Sequence, residues 1–103
     1  MSDIYCDSIL NGKLTVQVEK ETENVLAFRH TQPSWPLHII IIPKTHVLNL
    51  ADADPAIVQE IFTVIRDLIK AKGLAETNYK VITNGGDFQE SKHLHFHLVS
   101  DHT

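Results

Sequence analysis

The chain has 103 residues, 43% of them apolar and 21% charged, with a net charge of −4 when its histidines are neutral. This composition fits one ordinary globular domain, residues 1–103, and excludes a disordered or low-complexity segment. No apolar run nears the ~20 residues that span a bilayer, no signal peptide is visible, and no Lys/Arg cluster is available to a nucleic-acid polymer. A small nucleotide needs only a few local donors and stays within reach. The single cysteine, Cys6, rules out an internal disulfide and fits a reducing cytoplasm.

Ile4, Tyr5, Ile9 and Leu10 are spaced for a short N-terminal helix, which Asn11-Gly12 ends as a turn. Leu14, Val16 and Val18 alternate with Lys13, Thr15 and Gln17, which predicts a half-buried strand over Lys13 to Val18. After the polar connection Lys20 to Asn24, strand character resumes from Val25 to His30, and the short spacing predicts an antiparallel hairpin. The two prolines of Thr31 to Pro36 make that stretch a loop. Leu37 to Ile42 is the most apolar, β-branched run and reads as a central strand buried on both faces, with His38 its single polar residue.

Asp52 or Asp54 can cap the next helix, with Pro55 in its first turn, where a missing N–H costs nothing. Between Pro55 and Lys72 the residues Ile57, Val58, Ile61, Phe62, Val64, Ile65, Leu68 and Ile69 recur at helical spacing with a broad buried face, and Gly73 terminates the run. This helix needs no role beyond covering a sheet. Tyr79 to Thr83 is a short strand, Asn84-Gly85-Gly86-Asp87 a loop of permissive residues, and a last strand starts at His93. The expected architecture is α+β: a five-stranded antiparallel meander with one long helix packed on it.

His93, Leu94, His95, Phe96, His97, Leu98 and Val99 alternate imidazoles with apolar side chains, so the three histidines are expected on the face opposite the core. Two chemistries compete for them. A pair can ligate a metal, but His93 and His97 lie roughly 13 Å apart along a straight strand, too far for one ion to take all three. Alternatively the strand handles a phosphate. One neutral imidazole attacks phosphorus, its neighbours stabilise the oxygens, and backbone N–H groups at Gly85 and Gly86 approach the anion. His38 is available to either site from a second strand.

The segment His93 to Val99 resembles the His-φ-His-φ-His-φ-φ signature of the histidine triad (HIT) family, most closely its nucleoside phosphoramidase branch. Val25-Leu26-Ala27-Phe28, Leu37 to His46, and Asn84-Gly85-Gly86 resemble the family's corresponding segments in the same order, so the likeness runs from residue 4 to 100. The resemblance implies a nucleotidyl hydrolase or transferase acting on a nucleoside phosphoramidate or dinucleoside polyphosphate. The substrate would be a small purine nucleotide, no cofactor would be required, and two protomers would join their sheets as a homodimer. His95 would be the nucleophile that forms a nucleotidyl-histidine, with His93, His97 and His38 positioning and stabilising. Asn84, Gln89, Phe28 and His30 would contact substrate.

Three departures stand out. His30 occupies the place of an Asp or Asn that holds ribose hydroxyls, and an imidazole holds at most one of the two well. Glu90 replaces a Ser or Thr near the leaving group, where a carboxylate would repel a phosphate and favour an amine. The loop between Asn84 and Gln89 is shorter than in the common phosphoramidase type. Some bacterial relatives also hold a structural zinc on two N-terminal cysteines and two histidines. Here the matching set is Asp3, Cys6, His46 and His93, and carboxylate for thiolate makes a weaker site. A nucleotide- or partner-binding module with little activity is the alternative from another class.

Overall fold

The computed structural model describes residue 5 and residues 9–101. Five strands form one antiparallel sheet: β1 (Val18–Glu21), β2 (Val25–Arg29), β3 (Leu37–Pro43), β4 (Lys80–Thr83) and β5 (Phe96–Ser100), with the helix α1 (Pro55–Ala71) between β3 and β4. The spatial order is β1-β2-β3-β5-β4, which corrects the expected meander. Both β3 and β4 pair antiparallel with β5, so they run in the same direction and their connection must cross over one face of the sheet. α1 is that crossover, and it leaves β4 at the edge and the histidine-bearing strand inside.

α1 begins as the sequence predicts. Asp54 caps it by accepting the Ala56 N–H at 2.9 Å, Pro55 opens the first turn, and Gly73 follows its end at φ 67°, a left-handed conformation that costs glycine nothing. Its buried stripe, Ile61, Val64, Ile65 and Leu68, packs on Val25, Ala27, Leu37, Ile39, Ile41, Phe96 and Leu98. The alternate residues of the same strands, Leu26, Phe28, Ile40 and Ile42, form a second cluster on the other face with Tyr5 and Ile9. Leu10 N–H bonds the Tyr5 carbonyl at 2.7 Å, as the expected N-terminal turn requires; residues 4 and 6–8 of that helix lie outside the described residues. The central strands are thus buried on both faces. The β1–β2 turn is tied to α1 by Glu60, whose carboxylate accepts from the Thr22 hydroxyl and from the Asn24 N–H and side-chain amide.

Two strand boundaries differ from expectation. β1 begins at Val18, not Lys13, because its partner β2 ends at Arg29: Val18 already faces Phe28, and the ladder finishes with Arg29 N–H on the Gln17 carbonyl. Lys20 and Glu21, expected in a connection, therefore lie in the edge strand. β5 begins at Phe96, not His93. Phe96 pairs with Ile41, and beyond it the Leu94 N–H leaves the sheet for the Val47 carbonyl at 2.6 Å. His93 and Leu94 therefore bond to the end of β3 and the turn after it instead of continuing the ladder. Among the described residues, no helix is long and apolar enough to cross a membrane.

Candidate active site

The face of the sheet away from α1 carries His38 on β3 and His97 on β5, with His95 just before β5. In the register, His97 stands opposite Ile40 and His38 opposite Val99, which makes the two histidines diagonal neighbours on one face. His38 Nε2 and His97 Nδ1 are 2.8 Å apart, and the rings of His95 and His97 lie 5.0 Å apart, edge to face. These side chains bound a cavity of about 280 Å³ whose opposite wall holds Asn84, Phe88, Glu90 and Ser91. A second cavity of about 290 Å³ adjoins it, sharing Tyr5, His30, Glu90 and Ser91 and walled by Ile9, Phe28 and Ile40.

Hydrogen bonds to backbone groups assign each imidazole its proton. The Ser34 N–H donates to His38 Nδ1 at 3.1 Å, so neutral His38 carries its hydrogen on Nε2 and donates it to His97 Nδ1. His97 in turn keeps its hydrogen on Nε2 as a donor. The His93 carbonyl can only accept, so at 2.8 Å it requires a hydrogen on His95 Nδ1 and leaves the lone pair of His95 on Nε2. That carbonyl is held by its own ring: His93, fully buried, donates from Nε2 to the Pro43 carbonyl at 2.9 Å. The Thr83 hydroxyl donates to the His95 carbonyl at 2.8 Å and fixes the other side of the residue. The three histidines therefore do not share one face: His93 is a buried brace and His95 and His97 line the cavity.

All the cavity imidazoles are biased toward the neutral form. Burial, reinforced by the neighbouring His30, pushes His38 down to about 4. Burial and the surrounding rings of His95, His38 and His30 push His97 down to about 4. His95 is lowered chiefly by burial; the His93 carbonyl and Glu90 oppose the shift, while the His93 and His30 rings add to it. His30 is lowered by burial against the raising influence of Glu90. At neutral pH the four imidazoles are uncharged donors and acceptors, and His95 Nε2 carries a free nucleophilic lone pair.

The remaining predicted residues fall in different places. Asn84 lines the cavity. His30 stacks on His38 with ring centroids 4.4 Å apart, and its Nδ1 accepts the Gln32 N–H, so Nε2 is its one donor. Phe28 is buried in the floor of the adjoining cavity, 6.2 Å from the Tyr5 ring. Gln89 does not reach the cavity wall: it is 3% exposed and its amide donates to the Leu48 carbonyl, tying its loop to the turn after β3. Gly85 lines a separate cleft with Asn49 and Leu50, and the Gly86 carbonyl accepts from Lys92 Nζ at 2.9 Å, so these glycines stand outside the histidine cavity.

Tyr5, Ser34 and Trp35 also belong to the site and were not singled out by the sequence. Tyr5 lies 5.3 Å from the His95 ring, and Trp35 stands edge-on to His38 at 5.2 Å. The proline-flanked tryptophan was the one available signal.

Of the expected zinc set, Asp3 and Cys6 lie outside the described residues. His46 stands edge-on to His93 with rings 5.2 Å apart. His93 Nε2 is committed to the Pro43 carbonyl. Among the described residues, no group of three or more His, Cys, Asp or Glu side chains is arranged to hold an ion. The His46–His93 pair alone does not make a metal centre.

Comparison with known proteins agrees with this geometry. The family model described as the HIT domain matches residues 11–103. A 13.2 kDa HIT-like protein of Azospirillum brasilense is 33% identical over 98 residues, 89% of this chain and 80% of its own length. Among solved structures, a HIT family hydrolase from Legionella pneumophila superposes with a TM-score of 0.88 at 31% identity, covering 99% of this chain and 95% of that one. A histidine triad nucleotide-binding protein from Candida albicans gives a TM-score of 0.85 at 32% identity, over 94% and 73% of the two chains.

Proposed function

The chain belongs to the HIT domain family, and from that premise we propose that it is a nucleotidyl hydrolase of the nucleoside phosphoramidase branch, cleaving the bond between an α-phosphorus and an amine. The observation that carries the reading is the tautomer of His95, whose Nδ1 hydrogen is committed to the His93 carbonyl while its Nε2 lone pair is free for attack. His95 Nε2 forms a bond to phosphorus as the P–N bond breaks with its electron pair on nitrogen. One water is consumed overall: its proton goes to the departing amine and its hydroxyl to phosphorus, which releases His95 and the nucleoside monophosphate. His97 Nε2–H donates to a phosphoryl oxygen, and His38 holds His97 in that tautomer.

A neutral donor set suits a phosphoryl group that gains little net charge on the way to the transition state. The adjoining cavity, with Phe28, Ile9 and Ile40 in its wall, is the place for a purine base, and His30 Nε2–H is a donor at the junction for one ribose hydroxyl. The hydrolase and nucleotide-binding descriptions of the Legionella and Candida neighbours support both halves of the proposal. Nothing in the scheme calls for a cofactor.

The test is AMP release from adenosine 5′-phosphoramidate. Turnover is expected in the purified protein and its loss in His95→Ala; full activity in that variant would refute the mechanism. We further propose a cytoplasmic homodimer joined through the edge strand β4, where Val81, and Tyr79 just before the strand, are exposed. Light scattering should report twice the chain mass, and a strict monomer would refute it.

A further inference from the structure

The cavity beside His95 has an unusual charge balance for a phosphate site. Among the described residues that line it, Glu90 is the only Asp, Glu, Lys or Arg. The basic side chains nearest in sequence are engaged elsewhere: Arg29 Nε bonds the Glu19 carboxylate at 2.7 Å, and Lys92 Nζ bonds the Gly86 carbonyl. With His38 and His97 held at about 4, no imidazolium offsets the carboxylate at neutral pH. A polyphosphate leaving group would bring several negative charges against Glu90 with no Lys or Arg among the described lining residues. A group carrying positive charge would meet the opposite situation.

Phe88 supplies the second half of the argument. It is 83% exposed and lines the same cavity as Glu90 and His95. An aromatic ring and a carboxylate lining one cavity offer the recognition chemistry of an organic ammonium, through the ring quadrupole and the ion pair together. Phe88 does not line the adjoining cavity, while Glu90 lies at the junction of the two, so the aromatic half of this pair stands apart from the proposed base site.

We propose that Phe88 and Glu90 form a leaving-group subsite that selects phosphoramidates whose amine carries a further cationic group. The inference rests on the nucleotidyl-transfer reading above and narrows its substrate class to nucleoside phosphoramidates of diamines and other cationic amines, against polyphosphates and neutral amines. Both residues are specificity determinants, since neither is needed to make or break the bonds at phosphorus.

The experiment compares the adenosine 5′-phosphoramidates of 1,4-diaminobutane and of pentylamine, which match in length and differ in the terminal ammonium. The diamine compound should show kcat/KM about tenfold higher, from one partly exposed ion pair and one cation–π contact. Glu90→Gln should erase most of that ratio, Glu90→Lys should invert it, and Phe88→Leu should reduce it. Equal kcat/KM in the wild type, or a preference that survives Glu90→Gln, overturns the subsite while leaving the hydrolase reading intact. Turnover of neither compound refutes the hydrolase reading instead. Calorimetric titration of both compounds into His95→Asn then decides the subsite without chemistry. Tighter binding of the diamine compound, lost on adding Glu90→Gln, supports it; equal binding or none overturns it.

Discussion

The neutral state of His97 has a consequence for stability that can be measured apart from activity. Its folded-state pKa lies near 4 against an ordinary 6.5, so in the interval between them the unfolded chain takes up a proton that the folded chain refuses. The unfolded state binds more protons there, and stability must rise with pH across that window. The contribution is therefore complete above about 6.5 and is lost as pH falls toward about 4. The full shift has a ceiling of about 3 kcal/mol. Because His97 is half-buried beside an open cavity, about 1–2 kcal/mol is the expected share.

The perturbation is His97→Asn, which can retain an acceptor for His38 Nε2–H and does not titrate. Urea denaturation of both proteins at pH 7 and pH 4.5 gives the comparison. Wild type should lose more stability between the two pH values than the variant does, by that amount. Identical losses would refute the assignment of a strongly depressed imidazole at this position.

Other consequences concern the scaffold. Leu98 is fully buried between β5 and α1, so Leu98→Ala should destabilise the fold by about 2–5 kcal/mol in denaturant titration, with a value under 1 kcal/mol contradicting the packing described. Gln89→Leu removes the donor from the Leu48 carbonyl and should cost about 1–3 kcal/mol. Gln89 does not line the cavity, so this variant should lose stability in a thermal melt with little change in KM; a large rise in KM at unchanged stability would place Gln89 on substrate instead.

The sequence carried the elements well where one periodicity ruled and failed where partners decided. α1 was legible from its apolar spacing and from Asp54, Pro55 and Gly73 at its ends, and β3 from its β-branched run. β1 was displaced because the alternation of Leu14, Val16 and Val18 says nothing about where β2 ends. The alternation through His93 to His97 predicts one strand. In fact the Leu94 N–H finds the Val47 carbonyl and Pro43 offers His93 a carbonyl, so the chain departs from the sheet before Phe96. The order of β4 and β5 follows from the crossover of α1, which no local pattern encodes.

In the site, the resemblance picked out His38, His95 and His97, which the fold gathers, while His93 is drawn into the interior as a support for His95. Tyr5 and Trp35 are not legible as site residues because helical spacing accounts for Tyr5 as a core residue, Trp35 lies in a proline-flanked loop, and each reaches the cavity only through tertiary packing. His30, noticed as a departure, is stacked on His38 and so joins the imidazole cluster at the boundary between the two cavities. Gln89 was grouped with substrate by its position in the motif, but its buried amide serves the loop.

The central claim is that His95 Nε2 bonds covalently to phosphorus. Rapid mixing of the protein with adenosine 5′-phosphoramidate, quenching within the first turnover and mapping the adduct by mass spectrometry tests it directly. The account predicts one nucleoside monophosphate residue attached to His95, absent in His95→Ala. Turnover with no adduct on the protein, or an adduct on His97 or His93 instead, would contradict it.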